Sequence, residues 1–299
     1  LTFYPAWLWL VVGVAVAGIV LRRRTRVPVA LALAAWMLYG CLLVEEPRSL
    51  LSLGRVPTSQ WADDQKPRTA VRVISLNCAG GDIRAAAEAF RYRPDVILFQ
   101  ESPPAEALQE LARDEFGDSA TVVSGLDTAI AARGHAVAVP LPGEAVRFAT
   151  GARALTPPGV EIEFLSVRLV PPVLSLNLLS LDCWQAQAAN RDEREEQVAQ
   201  LGQCLRTGSP ESLTVVGGDF NAPQGDGSLA ALRPRFRDSF AEGGGGWGNT
   251  VTNDFPVLRF DQIWISSGLR AVAVSARRTR HSDHRMVICD LVIGEGEGE

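Results

Sequence analysis

Val215-Val216-Gly217-Gly218-Asp219-Phe220-Asn221-Ala222-Pro223 is the stretch whose reading decides the fold. Leu213 to Val216 is short, apolar and β-branched, the composition of a buried strand. Gly217 and Gly218 remove side chains where the backbone has to pass close to something. Residues two apart on an extended chain share a face, so Asp219 and Asn221 point together and Phe220 points into a core. Pro223 stops the strand, and Gly225 and Gly227 loosen the segment after it. A carboxylate and a carboxamide at the end of a rigid strand suit holding a phosphate and a water near a metal. The same two residue types also fill ordinary polar turns. Taken alone, the stretch leaves both readings open.

Outward from it, polar residues recur where strands meet loops. Val71 to Asn77 alternates like a strand and ends in the turn Asn77-Cys78-Ala79-Gly80-Gly81. Asp82 caps a helix running to about Tyr92. Val96 to Phe99 is a buried strand that delivers Gln100-Glu101, after which Pro103-Pro104 turns the chain away. A helix comes next, from Ala105 to about Glu115, and short β-rich runs with Gly and Pro turns fill Ala120 to Leu169. Asn190 to Leu205 reads as a charged amphipathic helix, and Gly243 to Gly246 as a flexible loop. Phe260 to Ile265 is a strand with Asp261 near its start. Val272 to Ala276 and Met286 to Ile293 complete the sheets, with His281-Ser282-Asp283-His284 just before the last strand. Asn77, Glu101, Asp219, Asn221, Asp261, Asp283 and His284 thus come from five segments, a recurrence that turn polarity explains poorly. Active sites are commonly built this way, on loops held by a rigid scaffold.

The first sixty residues differ from the rest. Two apolar runs, Leu1 to Leu21 and Val27 to Val44, flank Arg22-Arg23-Arg24-Thr25-Arg26, and each approaches the roughly 20 residues that span a bilayer. They predict a transmembrane hairpin over 1–46, with the arginine turn in the cytoplasm and the rest of the chain outside it. Residues 47–69 read as a tether, 70–293 as a catalytic domain and 294–299 as a disordered Gly/Glu tail. Residues 1–60 carry six Arg and two Glu, a net +4, so with −5 for the chain, residues 61–299 carry −9. That acidity disfavours sequence-blind nucleic-acid binding, which needs clustered cations. The five cysteines form no C-x-x-C or Cys/His cluster, which argues against zinc, and a Cys183–Cys204 disulfide is left open.

Taken together, Leu76-Asn77, Phe99-Gln100-Glu101, Gly218-Asp219-Phe220-Asn221-Ala222-Pro223, Arg259-Phe260-Asp261-Gln262-Ile263 and Ser282-Asp283-His284 resemble the motifs of the endonuclease/exonuclease/phosphatase superfamily, in that family's order. The resemblance implies an α/β fold, a four-layer α/β sandwich of two packed, mainly antiparallel sheets, and phosphoester or pyrophosphate hydrolysis with Mg²⁺ or Mn²⁺. It implies Glu101, Asn77 and Asp283 as the metal site, and Asp219 as the group that orients or deprotonates water. Asn221 would hold a phosphate oxygen, with Asn77 close to the phosphate, and Asp261 would fix a protonated, phosphate-gripping His284. Where the family often has a histidine, this chain has Arg168, which cannot act as a general acid but can stabilise phosphoryl charge. Gln100 reads as support, and His135 and His281 as loop residues. The expected substrate is a phosphorylated compound, a lipid-linked one among the candidates, met at the bilayer outside the cytoplasm. A secreted-side Mg-dependent nuclease and a decayed, non-catalytic binding protein are the alternatives.

Overall fold

A computed structural model describes residues 6–20, 26–50, 70–157, 159–173, 180–206 and 212–294. Twelve strands form two six-stranded sheets. The first contains β1 (Ala70–Asn77), β2 (Val96–Gln100), β3 (Thr121–Ser124), β4 (Thr128–Ala132), β11 (Leu269–Arg277) and β12 (Met286–Ile293). Its strand order is β11-β12-β1-β2-β4-β3. The second contains β5 (Ala136–Val139), β6 (Ala149–Leu155), β7 (Glu161–Arg168), β8 (Thr214–Asp219), β9 (Phe236–Asp238) and β10 (Asp261–Ser266), in the order β5-β6-β7-β8-β10-β9. Each sheet has one parallel pair at its centre, β1 with β2 and β7 with β8, and its other pairs are antiparallel. The expectation of mainly antiparallel sheets therefore holds.

Alternation along the strands builds three apolar layers. Val71, Val73, Leu98, Phe164, Val215 and Ile263 fill the space between the sheets. Ile74, Leu76, Ile97 and Phe99 point the other way, under α4 (Ile83–Phe90) and α5 (Ala105–Phe116). Leu165, Val167, Val216, Phe220 and Trp264 meet Val198, Leu201 and Leu205 of α6 (Leu181–Arg206) on the far face. The result is four layers, helix, sheet, sheet and helix. Each such side chain removed from water contributes about 1.5–3 kcal/mol, which makes the sandwich a stiff platform for whatever sits at its strand ends.

Several local expectations hold and others change. Asp82 caps α4 by accepting from Arg84 N (2.9 Å). The helix expected from Asn190 starts at Leu181, because the mixed, partly exposed turn around Trp184 hides its apolar period. The Gly243–Gly246 stretch is not free. Gly243 ends α7 (Ser239–Gly243), Gly244 N donates to Phe240 O and Gly245 N donates to Val274 O. No disulfide joins Cys183 and Cys204, so that pairing is not made.

At the N-terminus α1 (Ala6–Val20) packs on α2 (Arg26–Leu43), as expected of a hairpin. No described helix, however, is long and apolar enough to cross a membrane. At a rise of about 1.5 Å per residue, α1 reaches about 22 Å and α2 about 27 Å, against a hydrocarbon core of roughly 30 Å. Spanning is thus not supported by the helices described, and most of the arginine turn lies outside the described residues. The tether is corrected at its start, because residues 47–50 belong to α3 (Glu45–Leu50). This short helix docks on the sandwich. Gly246 N donates to Ser49 O (3.0 Å), and Arg259 bonds Glu45 through Nε (2.8 Å) and Nη2 (3.0 Å). The remainder of the tether and the tail beyond Gly294 lie outside the described residues.

Candidate active site

The strand register brings the predicted residues to one end of the sandwich. Parallel pairing sets Asn77 beside Gln100 and Arg168 beside Asp219, while antiparallel pairing sets Asp261 opposite Asp219. Two glycines make this possible. A Cβ on Gly218 (φ 155°) would lie 1.9 Å from Val167 O, and one on Gly217 would lie 2.6 Å from Leu98 Cδ1 in the facing sheet. The close approach read from the sequence is thus strand to strand at one glycine and sheet to sheet at the other.

Asn77 links the two sheets. Its Nδ2 donates to Glu101 Oε1 (3.1 Å) and to Asp219 Oδ2 (3.2 Å). Glu101, just past β2, adopts φ 44°, a left-handed conformation uncommon for a side chain of its kind. Its carboxylate also accepts from Gly80 N (2.6 Å) and Arg168 Nη2 (2.8 Å). Burial pushes the Glu101 carboxyl up, but the Asn77 bond, the Arg168 charge and the Gly80 amide outweigh it and hold it below the usual carboxylate range. Arg168 reaches further, to Asp127 Oδ2 through Nη1 (2.8 Å), and its buried Nε has no partner among the described residues.

Asp219 and Asn221 do come together, but not by simple alternation. Asn221 sits past the strand with φ 49°, a conformation asparagine tolerates. Its backbone N donates to Asp219 Oδ1 (3.0 Å), and its Nδ2 donates to Asp219 Oδ2 (3.2 Å) and Leu169 O (2.8 Å). Both Nδ2 protons are engaged, so in this state Asn221 orients Asp219, and a bond to a phosphate requires one of them to open. Phe220 turns into the core against Trp264, as expected.

His284 Nδ1 donates to Asp261 Oδ2 (2.9 Å), which fixes the ring and its tautomer. Burial opposes the imidazolium charge. The Asp261 carboxylate, its hydrogen bond, and Asp219 and Asp283 beyond it prevail, raising His284 to about 10. Burial and the neighbouring Asp261 charge likewise push Asp219 up to about 6, against the opposing pull of His284, Asn221 and Asn77. Two residues hold this pair in place. Thr250 Oγ1 accepts from the amides of Phe260 (3.2 Å) and Asp261 (3.1 Å), and Ser282 Oγ donates to Asn77 O (2.7 Å) while accepting from His284 N (3.0 Å).

Asn77, Glu101, Arg168, Asp219, Asn221, Asp261 and His284 therefore share one site. Asp283 is exposed beside His284 and is not part of the cluster of Asp219, Asp261 and His284 whose ligand atoms fall within 4.8 Å of one another. Gln100 is buried support, donating to Leu98 O and Ser166 Oγ. Asp127, Thr250 and Ser282 were not assigned roles from the sequence. Ser282 was legible as part of its motif, whereas nothing marks Asp127 or Thr250 before the chain folds.

The donor set fits a hard divalent cation. It offers carboxylate and carboxamide groups, the chemistry Mg²⁺ and Mn²⁺ prefer. Among the contacting groups, four carboxylates (Glu101, Asp127, Asp219, Asp261) face one guanidinium and one imidazolium, which leaves two negative charges. Asp261 Oδ1 is buried without a hydrogen-bond partner among the described residues, which a bound cation or water would satisfy.

In fold the chain is similar to an endonuclease/exonuclease/phosphatase family protein from Bacteroides thetaiotaomicron (14% identity, 76% of this chain and 98% of that one, TM-score 0.58). It is also similar to D. rerio TDP2 complexed with single-strand DNA product (16% identity, 75% and 99% covered, TM-score 0.53). A third likeness is to the human Nocturnin catalytic domain with bound sulfate (14% identity, 77% and 96% covered, TM-score 0.55). No protein of curated function matches the sequence. Residues 74–284 match the Endonuclease/Exonuclease/phosphatase family, more than half of the chain, and the protein therefore belongs to that family, whose members are generally hydrolases acting on phosphoester bonds.

Proposed function

We propose that the chain is a metal-dependent hydrolase of a phosphoester or pyrophosphate, held at a membrane with its catalytic domain on the extracytoplasmic side. The observation that carries the hydrolase reading is the convergence of Asn77, Glu101, Asp219, Asn221, Asp261 and His284 from both sheets. Glu101 and Asn77 would hold Mg²⁺ or Mn²⁺, with Asp283 beside His284. The ion supplies charge neutralisation at the phosphate and a lowered pKa for bound water. The protein's own groups do the rest. Asp219, with its carboxyl near 6, takes a proton from the attacking water and is aimed by Asn77 and Asn221. His284, charged at neutral pH, grips a phosphoryl oxygen. Arg168 would turn an Nη donor from Glu101 or Asp127 to the charge that develops on the substrate. With no general acid at position 168, anhydrides, whose leaving group needs less protonation, are favoured over esters.

The membrane reading draws on the apolar surface of α1 and α2, where Val11, Val16, Ile19, Val27, Leu31, Leu38 and Leu42 are exposed. Lipid would cover these side chains, and tethering would raise the effective concentration of a lipid-linked substrate. Phosphate release by the full chain in detergent with Mg²⁺ tests the chemistry. Glu101→Ala and His284→Ala are expected to lower it about 10²–10⁴-fold. A wild-type protein inert on phosphoesters and pyrophosphates, with no Mg²⁺ binding, would sink the reading. A reporter fused after Glu299 tests the topology. Activity outside the cytoplasm is expected, and activity only inside would overturn it.

A further inference from the structure

A cavity of about 880 Å³ opens beside the catalytic histidine and is not used by the chemistry above. Ser282 and Asp283, next to His284, form its near lip, and Arg84, Arg278, Arg280 and His281 are among its walls. The loop 278–283 lines one side of the cavity, and it is built rather than loose. Both carboxylate oxygens of the buried Glu88 accept from Arg280 N (2.9 Å each). Thr279 and Asn253 bond each other reciprocally, N to Oδ1 (3.0 Å) and Nδ2 to O (2.8 Å). Thr279 Oγ1 is set against the carbonyls of Ser282 (3.1 Å) and His284 (2.7 Å). One rigid loop thus carries both the phosphate-gripping histidine and a row of cations beside it.

The charges in the cavity are not equally free. Arg84 is paired with Asp82, and Arg278 with Asp254, but both arginines are about two-thirds exposed. Ion pairs in such surroundings are worth little and exchange partners readily. Arg280 is exposed and pairs with no carboxylate among the described residues. A guanidinium presented from a fixed backbone, with two more that can swap a carboxylate for a stronger anion, is the chemistry that recognises phosphate.

We propose that this cavity is a recognition subsite for the second phosphate of a diphosphate-bearing substrate, with Arg280 as its main contact. The proposal rests on the hydrolase reading and deepens it: the phosphate that reacts sits between Glu101 and His284, and its neighbour lies against the 278–283 loop. The shared chemistry admits a soluble or a lipid-linked diphosphate.

Steady-state kinetics of the full chain and its Arg280→Ala variant separate the possibilities. The probes are ADP in solution, farnesyl diphosphate in phosphatidylcholine vesicles, and bis(p-nitrophenyl) phosphate, which has no second anion. The expected result is a KM for at least one diphosphate raised about tenfold, consistent with loss of a charge-assisted bond. Its kcat should stay within about twofold, as should kcat/KM on bis(p-nitrophenyl) phosphate. Which diphosphate responds identifies the source. Unchanged KM on both diphosphates, or a parallel loss on all three probes, overturns the subsite. If wild type turns over none of the probes, the hydrolase reading is what fails. The subsite is then decided by calorimetric titration of inorganic pyrophosphate in EDTA. Weaker binding to Arg280→Ala supports it, and equal binding overturns it.

Discussion

Two arginines each bridge a pair of carboxylates, and they sit in opposite surroundings. Arg259 is buried, bonding Asp238 through Nη1 (3.0 Å) and Nη2 (2.6 Å) and Glu45 through Nε (2.8 Å), with Phe240 beneath its guanidinium. Arg168 joins Glu101 and Asp127 at 2.8 Å each, but it remains 26% exposed and its partners 24% and 39%. The motif is the same and the consequence differs. Around Arg259 and Asp238, 6% and 3% exposed, almost no water is available to replace a lost partner, and through Glu45, 25% exposed, the cluster ties α3 to the sandwich. Around Arg168 solvent reaches all three partners, and the guanidinium is free to exchange a carboxylate for another anion. Burial, not the bonding pattern, separates a clamp from a working group.

Removing Arg259 should have the largest effect on stability. Arg259→Ala strands Asp238 in the interior, where an orphaned charge costs about 3–5 kcal/mol, while Glu45, 25% exposed, turns to water. Urea unfolding checks this, and a loss below about 1 kcal/mol would erase the contrast. Arg168→Ala should do the reverse. Its exposed pairs contribute about 0–1 kcal/mol to stability, whereas loss of a charge-assisted contact to the reacting phosphate should lower kcat by about 10–100-fold. Equal effects on stability and rate would show that the two clusters are of one kind.

The mildest test is pH. His284 is raised from 6.5 to about 10, so the folded state holds this proton more tightly than the unfolded chain. Its contribution is complete below pH 6.5, declines as pH rises, and is gone above about pH 10. The slope cannot exceed about 1.4 kcal/mol per pH unit. Unfolding in EDTA between pH 6 and 10 should show this decline in wild type and lose it in His284→Gln. The same decline in both would assign it elsewhere.

The strand-end residues were legible because each lies next to its strand in sequence, so period and turn signals place it. Asn77, Glu101, Asp219 and Asp261 needed only the correct strands. Asp127 was not legible. It is one acidic residue in a hairpin turn, and its meaning comes from Arg168, 41 residues later. Glu45 is harder still, since it pairs with Arg259 across 214 residues and stands beside apolar runs of the length that lipid accommodates. The three glycines at 244–246 looked loose because composition reports freedom in the unfolded chain. Their amide partners, Phe240, Val274 and Ser49, lie on other elements.

Gly218 bears on how this strand-end surface is able to evolve. Any larger residue there would drive a carbon into the Val167 carbonyl and wedge β7 from β8 by more than an ångström, moving Arg168 away from Asp219. Active-site geometry tolerates about half that displacement. Position 218 is therefore locked as glycine by the Val167 carbonyl. New specificities in this scaffold have to arise around that immovable point.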